Sequence, residues 1–386
     1  MIIYKTYRFR LLPNDSQKIL INKNFGSVRF IHNYFLNEKI KTYETYKKVV
    51  SPILQVKALY KLKEEYPWLK EVDHCSLINA IYNLDDDFKK LIKDGMYPRY
   101  KCKYYKESYR VTNELKTFNN INYYTIRVNL VKRNVILPKL REIPILGYKK
   151  LTSLNGKIKF AVFSKEIDKY YISITVATNI ELIPNNYEKF LGIDLGIKSY
   201  VVSSDNVKYV NKINVNEKKI NGLYKQLSRC RDGSNNRKKI IKKIEKFYIS
   251  LKNKRKTQIC YIVNDILKNN DVVVVEDLNI KEMYQNHSLA KKLKDIPLFK
   301  FLETLNYKAL WKNKKIIKVD RFFPSSQLCN KCGFQNKLLK DFSIREWICP
   351  NCNSFHDRDL NASINIREEG KKILKSKTLS NKILFQ

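Results

Sequence analysis

The sequence predicts an α/β domain combined with an all-β unit. Three observations carry this reading: apolar runs that end in carboxylates, a stretch of short β-branched segments punctuated by turn residues, and two CxxC pairs near the C-terminal end. At 386 residues the chain exceeds one ordinary compact core, so two or three packed units are expected.

Taken in order, residues 3–11 alternate Tyr7, Phe9 and Leu11 with Arg8 and Arg10, the period of a half-buried strand with a basic outer face. Residues 14–91 change to helical spacing, as in Leu77, Ile81, Leu84 and Phe88. Strand signals return over 109–176, with Pro138, Pro144, Gly147 and Gly156 as punctuation. These segments predict a small β-barrel over residues 1–13 and 105–182, interrupted by a helical insertion over 14–104. From Phe190, "FLGIDLGIKSYVVSSDNVKYV" offers three short strands. A long basic helical region, the buried strand "DVVVVEDL", a helix around Phe299 and the strand "KIIKVD" follow. Three strands, helix, strand, helix, strand is the order of an RNase H-like layer, assigned to residues 183–323 and 356–370. Residues 371–386, rich in lysine, are expected to be disordered or bound to RNA.

Lysine and arginine number 76 against 37 aspartate and glutamate, a net charge of +39 that calls for a polyanionic partner. No apolar run is long enough to span a membrane, and the N-terminal segment does not read as a signal peptide. A cytoplasmic, nucleoid-associated protein with no membrane partner is therefore expected. In "PRYKCKYYKESY", Arg99, Lys101, Lys103 and Tyr109 interleave cations for phosphates with rings for bases. A solvated basic loop with buried tyrosines is the plain alternative. Residues 231–256 hold eleven lysines and arginines, Arg237 and Lys238 among them, against Asp232 and Glu245. With Arg8 and Arg10 these are the candidate nucleic-acid contacts.

Asp194 ends "FLGID" and Glu276 ends "VVVVE". Carboxyl ends of central strands face the crevice where α/β sheets place ligands. A third acid, Asp357 or Asp359, comes from "HDRDLNASINI", which reads as a helix start. Singly, each acid has an ordinary explanation as a solvated strand end or a helix cap. Jointly, three carboxylates can hold two magnesium ions, the arrangement that hydrolyses phosphodiesters.

Cys329, Cys332, Cys349 and Cys352 form CxxC, sixteen residues, CxxC, which matches a structural zinc ribbon over residues 324–355; a redox dithiol pair is the weaker reading. Four thiolates leave no open coordination position, so the zinc is a clamp that fixes the following aspartate. Arg345 stands four residues before Cys349, placed for phosphate.

With these residues in hand, the chain resembles the TnpB (OrfB) family of transposon-encoded RNA-guided endonucleases, related to small type V CRISPR effectors. The likeness runs through "YRFRLLPN", "FGSVRFIHNYFL", "PRYKCKYYKESY", "GIDLGIKS", "LSRCRDGSNNRKK", "VVVVEDLNIKEM", "FFPSSQLCNKCG", "REWICPNC" and "HDRDLNASINI". The resemblance implies Asp194, Glu276 and Asp359 as RuvC-type catalytic acids binding magnesium, with manganese as a substitute, and Arg345 as the family's arginine before the second cysteine pair. It implies a wedge domain in the barrel and a recognition domain in the insertion. It further implies a guide RNA from the transposon end, a double-stranded DNA target beside a short motif, and one protein monomer per RNA. Asn353, where the family often has glycine, and the apolar "KTQICY" depart from its pattern away from the proposed site.

Other functions fit less well. A guide-directed repressor that does not cut would be expected to lack an acid, and all three remain. A strand-joining transposase of the tyrosine type needs a His-x-His pair, which His32, His74, His287 and His356 do not supply. A guide-independent structure-specific nuclease has no use for the additional basic barrel and insertion.

Overall fold

The structure, a computed structural model, describes residues 1–95, 98–103, 107–147, 156–180, 187–196, 199–285, 297–341 and 343–383. The chain divides into two compact units, Met1–Glu181 and Leu182–Gln386.

The first unit opens with β1 (Ile2–Leu11), followed by α1 (Asp15–Tyr46), α2 (Pro52–Glu65), a 3-10 turn (Pro67–Lys70) and α3 (His74–Asp94). Then come β2 (Ser108–Thr112), β3 (Leu115–Phe118), β4 (Ile121–Tyr124), β5 (Arg127–Asn129), β6 (Asn134–Leu137), β7 (Arg141–Leu146), β8 (Lys157–Glu166) and β9 (Lys169–Asn179). A capping box starts α1: the Asn14 side chain accepts from the Gln17 amide at 2.9 Å, and the Gln17 side chain accepts from the Asn14 amide at 3.0 Å. β1 lies inside an antiparallel sheet of order β2-β8-β9-β1-β7-β6-β5, with Phe9 and Leu11 buried. The sequence predicts a barrel; the described ladder runs from β2 to β5 without a pairing that closes it.

The helices fall between β1 and β2 and share a core with the sheet. Phe9, Leu11, Phe163 and Ile172 of the sheet share one apolar cluster with Ile21, Phe25, Leu77 and Phe88 of the helices. Neither layer has enough apolar surface to close a core alone, so each is the other's cover. Inside the helical layer, the Lys39 ammonium is fully buried and donates to the Asp85 carboxylate at 2.7 Å and the Val50 carbonyl at 2.8 Å.

The second unit contains β10 (Phe190–Asp194), β11 (Val201–Ser203), β12 (Lys208–Tyr209), α4 (Glu217–Ser228), α5 (Asn235–Asn269) and β13 (Val272–Glu276). It continues with α6 (Ile280–Gln285), α7 (Leu298–Trp311), β14 (Lys315–Val319), β15 (Glu346–Ile348), β16 (Phe355–Asp357) and α8 (Arg358–Ile383). Its sheet has the order β12-β11-β10-β13-β14, with β10, β13 and β14 parallel and β11 and β12 antiparallel additions. Residues Val272 to Val275 are all buried because both faces are covered. Val273 and Val275 pack with Ile262, Val263 and Phe301 of α5 and α7, while Val272 and Val274 pack with Ile366 of α8.

Seating α8 on the sheet depends on two glycines. A Cβ on Gly192 would stand 2.0 Å from the Ser363 carbonyl oxygen and 2.6 Å from the Arg367 nitrogen, and one on Gly370 would stand 2.3 Å from the Val274 side chain. The sequence reading expects residues 371–386 to be disordered or bound to RNA. Instead α8 continues to Ile383, with Ile373 and Leu374 packed on the sheet, so apolar side chains at helical spacing outweigh the lysines between them.

Replacing Gly192 with alanine should destabilise the protein by about 3 kcal/mol or more, because overpacking here meets backbone rather than a movable side chain. Gly222→Ala, whose Cβ meets nothing within 4 Å inside α4, should be neutral or stabilising by up to about 1 kcal/mol. Urea unfolding of both variants measures the contrast.

Candidate metal-dependent active site

β10 and β13 run parallel with Ile193 opposite Val275, one residue before Asp194 and Glu276. This register sends the two carboxylates out of the sheet side by side at the carboxyl ends of neighbouring strands. Asp359 sits in the first turn of α8, which crosses β10 over Gly192. Burial, then the charges of Glu276 and Asp359, push the Asp194 carboxyl well above the usual carboxylate range. Burial likewise raises Glu276, partly offset by the Ser325 hydroxyl, which donates to its Oε1. Asp194 and Glu276 are thus buried neighbours at adjacent strand ends, with the Asp359 charge near enough to act on Asp194, a crowding that a divalent cation would relieve.

Arg345 places Nη1 3.4 Å from Asp359 Oδ1 and keeps 47% of its side chain exposed. Asp357 has a different task. It accepts from the Leu360 amide at 3.0 Å as the cap of α8 and pairs with Lys208 at 2.7 Å. Burial alone would raise its carboxyl; these partners hold it below the usual range.

The sulfur atoms of Cys329, Cys332, Cys349 and Cys352 all lie within 4.8 Å of one another. Cys329–Cys352 and Cys332–Cys349 are each 3.6 Å apart, close to the ~3.8 Å expected for sulfurs about 2.3 Å from a tetrahedral zinc. The four side chains therefore fit zinc. Among the described residues this is the one group of three or more His, Cys, Asp or Glu donors so tightly gathered. Burial pushes the Cys329 thiol up to about 12, whereas the Ser354 hydroxyl and amide bring Cys352 down to about 6. β15 pairs with β16 through Asp357, so the ribbon extends two residues past the boundary at 355 drawn from sequence.

Several residues that build this site lie inside "HDRDLNASINI" but have no role in the sequence reading. Asn361 donates to the Leu328 carbonyl at 2.7 Å, and Asn365 donates to the Ser325 carbonyl at 2.8 Å, stitching the ribbon's approach to α8. His356, 5% exposed, puts Nε2 3.1 Å from the Cys329 sulfur and its ring against Trp347. The spacing of Asn361 and Asn365, one helical turn apart, was the available signal.

The candidate nucleic-acid residues divide. Tyr109 is 3% exposed, stacked on Phe163 with centroids 4.5 Å apart and edge-on to Phe25, so it is a core ring rather than a platform for bases. Arg237 is spent locally, donating Nη1 to the Leu227 carbonyl at 3.1 Å and pairing with Asp232 at 3.0 Å, which closes the α4–α5 turn. Arg8 lies over the Tyr171 ring at 3.9 Å and pairs with Glu166, and Arg10 is half-buried. Lys101 exchanges backbone hydrogen bonds with the Asn33 side chain at 2.8 and 3.0 Å, while Arg99, Lys103 and Lys238 are exposed.

Cys349→Ser should lower bound zinc from one ion to near none and loosen the ribbon, while the first unit, which has its own core, keeps its secondary structure. Metal analysis and hydrogen exchange read both. For Asp194 the sign follows from its raised pKa: the neutral acid is favoured in the folded state, so stability is lost as pH rises through the folded value. Asp194→Asn should therefore raise the melting temperature of metal-free protein at neutral pH. The gain should vanish below about pH 4, where the wild-type carboxyl is protonated folded and unfolded.

Comparison with known proteins places these features. Residues 1–48 match a family model described as a helix-turn-helix domain, 173–287 one described as a probable transposase of the OrfB type, and 299–366 the Cas12f1-like TNB domain. The first segment is here one strand and one continuous helix. A Streptomyces pristinaespiralis protein named "Putative RNA-guided DNA endonuclease" is 28% identical over 95% of this chain and 90% of its own length. Escherichia coli K12 InsQ, which carries the same description, is 24% identical over 96% and 93%. The Cas12f1 chain of a complex with single guide RNA and target DNA shares the fold at a TM-score of 0.51 and 15% identity, covering 95% of this chain and 99% of that one. With model matches at both ends and in the middle, and full-length relatives named as RNA-guided DNA endonucleases, this chain is similar to the TnpB (OrfB) proteins.

Proposed function

We propose that the protein is an RNA-guided DNA endonuclease that cuts at the crevice of Asp194, Glu276 and Asp359. The observation that carries this is the raised Asp194 carboxyl, crowded by Glu276 at the end of the neighbouring parallel strand and by Asp359 from the first turn of α8. Such a group is costly in an apo protein and is explained by a bound divalent ion. Magnesium fits an all-carboxylate donor set, with manganese as a substitute. When bound, it supplies activation of a water and charge relief at the scissile phosphate.

The protein's own groups do the rest. Ser325 fixes the Glu276 carboxylate, α8 carries Asp359 over the strand ends, and Arg345 offers an exposed guanidinium to a phosphate. Zinc in the cysteine quartet holds the ribbon so that Arg345 and Asp359 keep their spacing. The first unit serves as wedge and recognition surface, and the guide is an RNA from the transposon end, read with a short motif beside the DNA target. The names borne by the full-length relatives support this reading.

Purification with the native locus, sequencing of the RNA that copurifies, and cleavage of a DNA library with randomised flanks test it. The sharpest variants are the two aspartates. Asp359→Asn should reduce cleavage by at least about a thousandfold while guide-dependent DNA binding persists, since it removes a charge from the metal site. Asp357→Asn should cost up to about 2 kcal/mol of stability as a weakened cap and leave substantial cutting. An active Asp359→Asn protein would overturn the assignment.

A further inference from the structure

We propose that Arg358, lying between the cap Asp357 and the acid Asp359, is a positioning residue that sets where Arg345 stands. The proposal rests on the nuclease reading for its consequence but not for its geometry. Arg358 is 5% exposed, an unusual state for a guanidinium, and it does not point at solvent or substrate. Its Nη1 donates to two backbone carbonyls, Asp341 at 2.6 Å and Ile344 at 3.2 Å, while its own amide donates to the Arg345 carbonyl at 2.8 Å. One residue of α8 thereby holds the chain on both sides of the turn that enters β15.

The consequence falls on Arg345. With the carbonyls of Asp341, Ile344 and Arg345 held, the Arg345 side chain leaves from a fixed backbone and reaches Asp359 at 3.4 Å. The two guanidinium groups repel: burial first, then the Arg345 charge, lowers the Arg358 pKa. Held between the Arg358 charge and the Asp359 carboxylate, the Arg345 side chain keeps nearly half its surface exposed and open to a phosphate. Lysine at 358 would keep the charge, but its ammonium ends one bond short of the Nη1 from which both carbonyls are reached. A role confined to ribbon stability would show as lost zinc; a positioning role predicts coupling to Arg345.

The test is a double-mutant cycle on the full chain with its guide RNA, reading single-turnover cleavage and zinc content. Arg358→Lys should slow cleavage about tenfold with zinc retained, whereas in an Arg345→Ala background the same change should cost less than about twofold. Equal losses in both backgrounds would overturn the proposal. If Arg358→Lys sheds zinc, Arg358→Met takes its place in the cycle, and loss of zinc by both would also overturn it. A second readout is independent of cutting: the Arg345 side-chain Nε–H resonance, identified by its absence from Arg345→Ala, should shift or narrow in Arg358→Lys. An unchanged resonance refutes the placement. A resonance that shifts in Arg358→Lys, while the wild-type protein cuts no DNA, would refute the nuclease reading alone.

Discussion

The approach of α8 to β10 is the contact on which the rest of the second unit depends. Because Gly192 has no side chain, the helix backbone at Ser363 and Arg367 comes down onto the strand, closer than any other residue would permit. That seating decides where the first turn of α8 lies, and the first turn carries Asp359. It also decides where Asn361 and Asn365 present their amides, and those amides hold the carbonyls of Leu328 and Ser325 on the way into the cysteine ribbon. Ser325 in turn fixes Glu276. A single close helix–strand contact therefore sets two of the three acids and the base of the ribbon.

The ribbon and the acids are two answers to charge in a small space. Four thiolates around one zinc would form a closed site, with no position left for a reactant, and would stabilise a segment whose apolar cluster is little more than Leu339, Trp347 and two of the cysteines. Asp194 and Glu276, close to Asp359, form no such closed knot, and burial raises both of their carboxyls. The arginines between the two sites are divided in the same way. Arg358 is buried and satisfied by carbonyls, and Arg345 is exposed beside a carboxylate. Structure and reactivity are thus separated by burial within a stretch of fourteen residues.

In the first unit the basic groups lie over a common core of sheet and helices. Its aromatic residues serve that core before they serve any ligand: Tyr109 is caught between Phe25 and Phe163. Its arginines are partly neutralised, as Arg8 is by Glu166 and Tyr171. The excess positive charge that the composition announces must then be carried largely by exposed groups such as Arg99 and Lys238.

The sequence by itself determined the strand that ends in Asp194, the strand that ends in Glu276, the cysteine quartet and the order of elements in the second unit. Each is written in local spacing: a buried strand is a continuous apolar run, and a ribbon is two CxxC pairs. It left Asp357 and Asp359 as alternatives on spacing alone, since both flank one helix start, and family resemblance chose between them. Tertiary structure gave the two their separate tasks, because capping and charge depend on which neighbours, Lys208 or Arg345, lie across the chain. It alone decided that Tyr109 is core, that Arg237 closes a turn, and that the lysine-rich end remains helical against the sheet. Those outcomes turn on partners far away in sequence, and composition counts a residue's charge or ring without recording what has already claimed it.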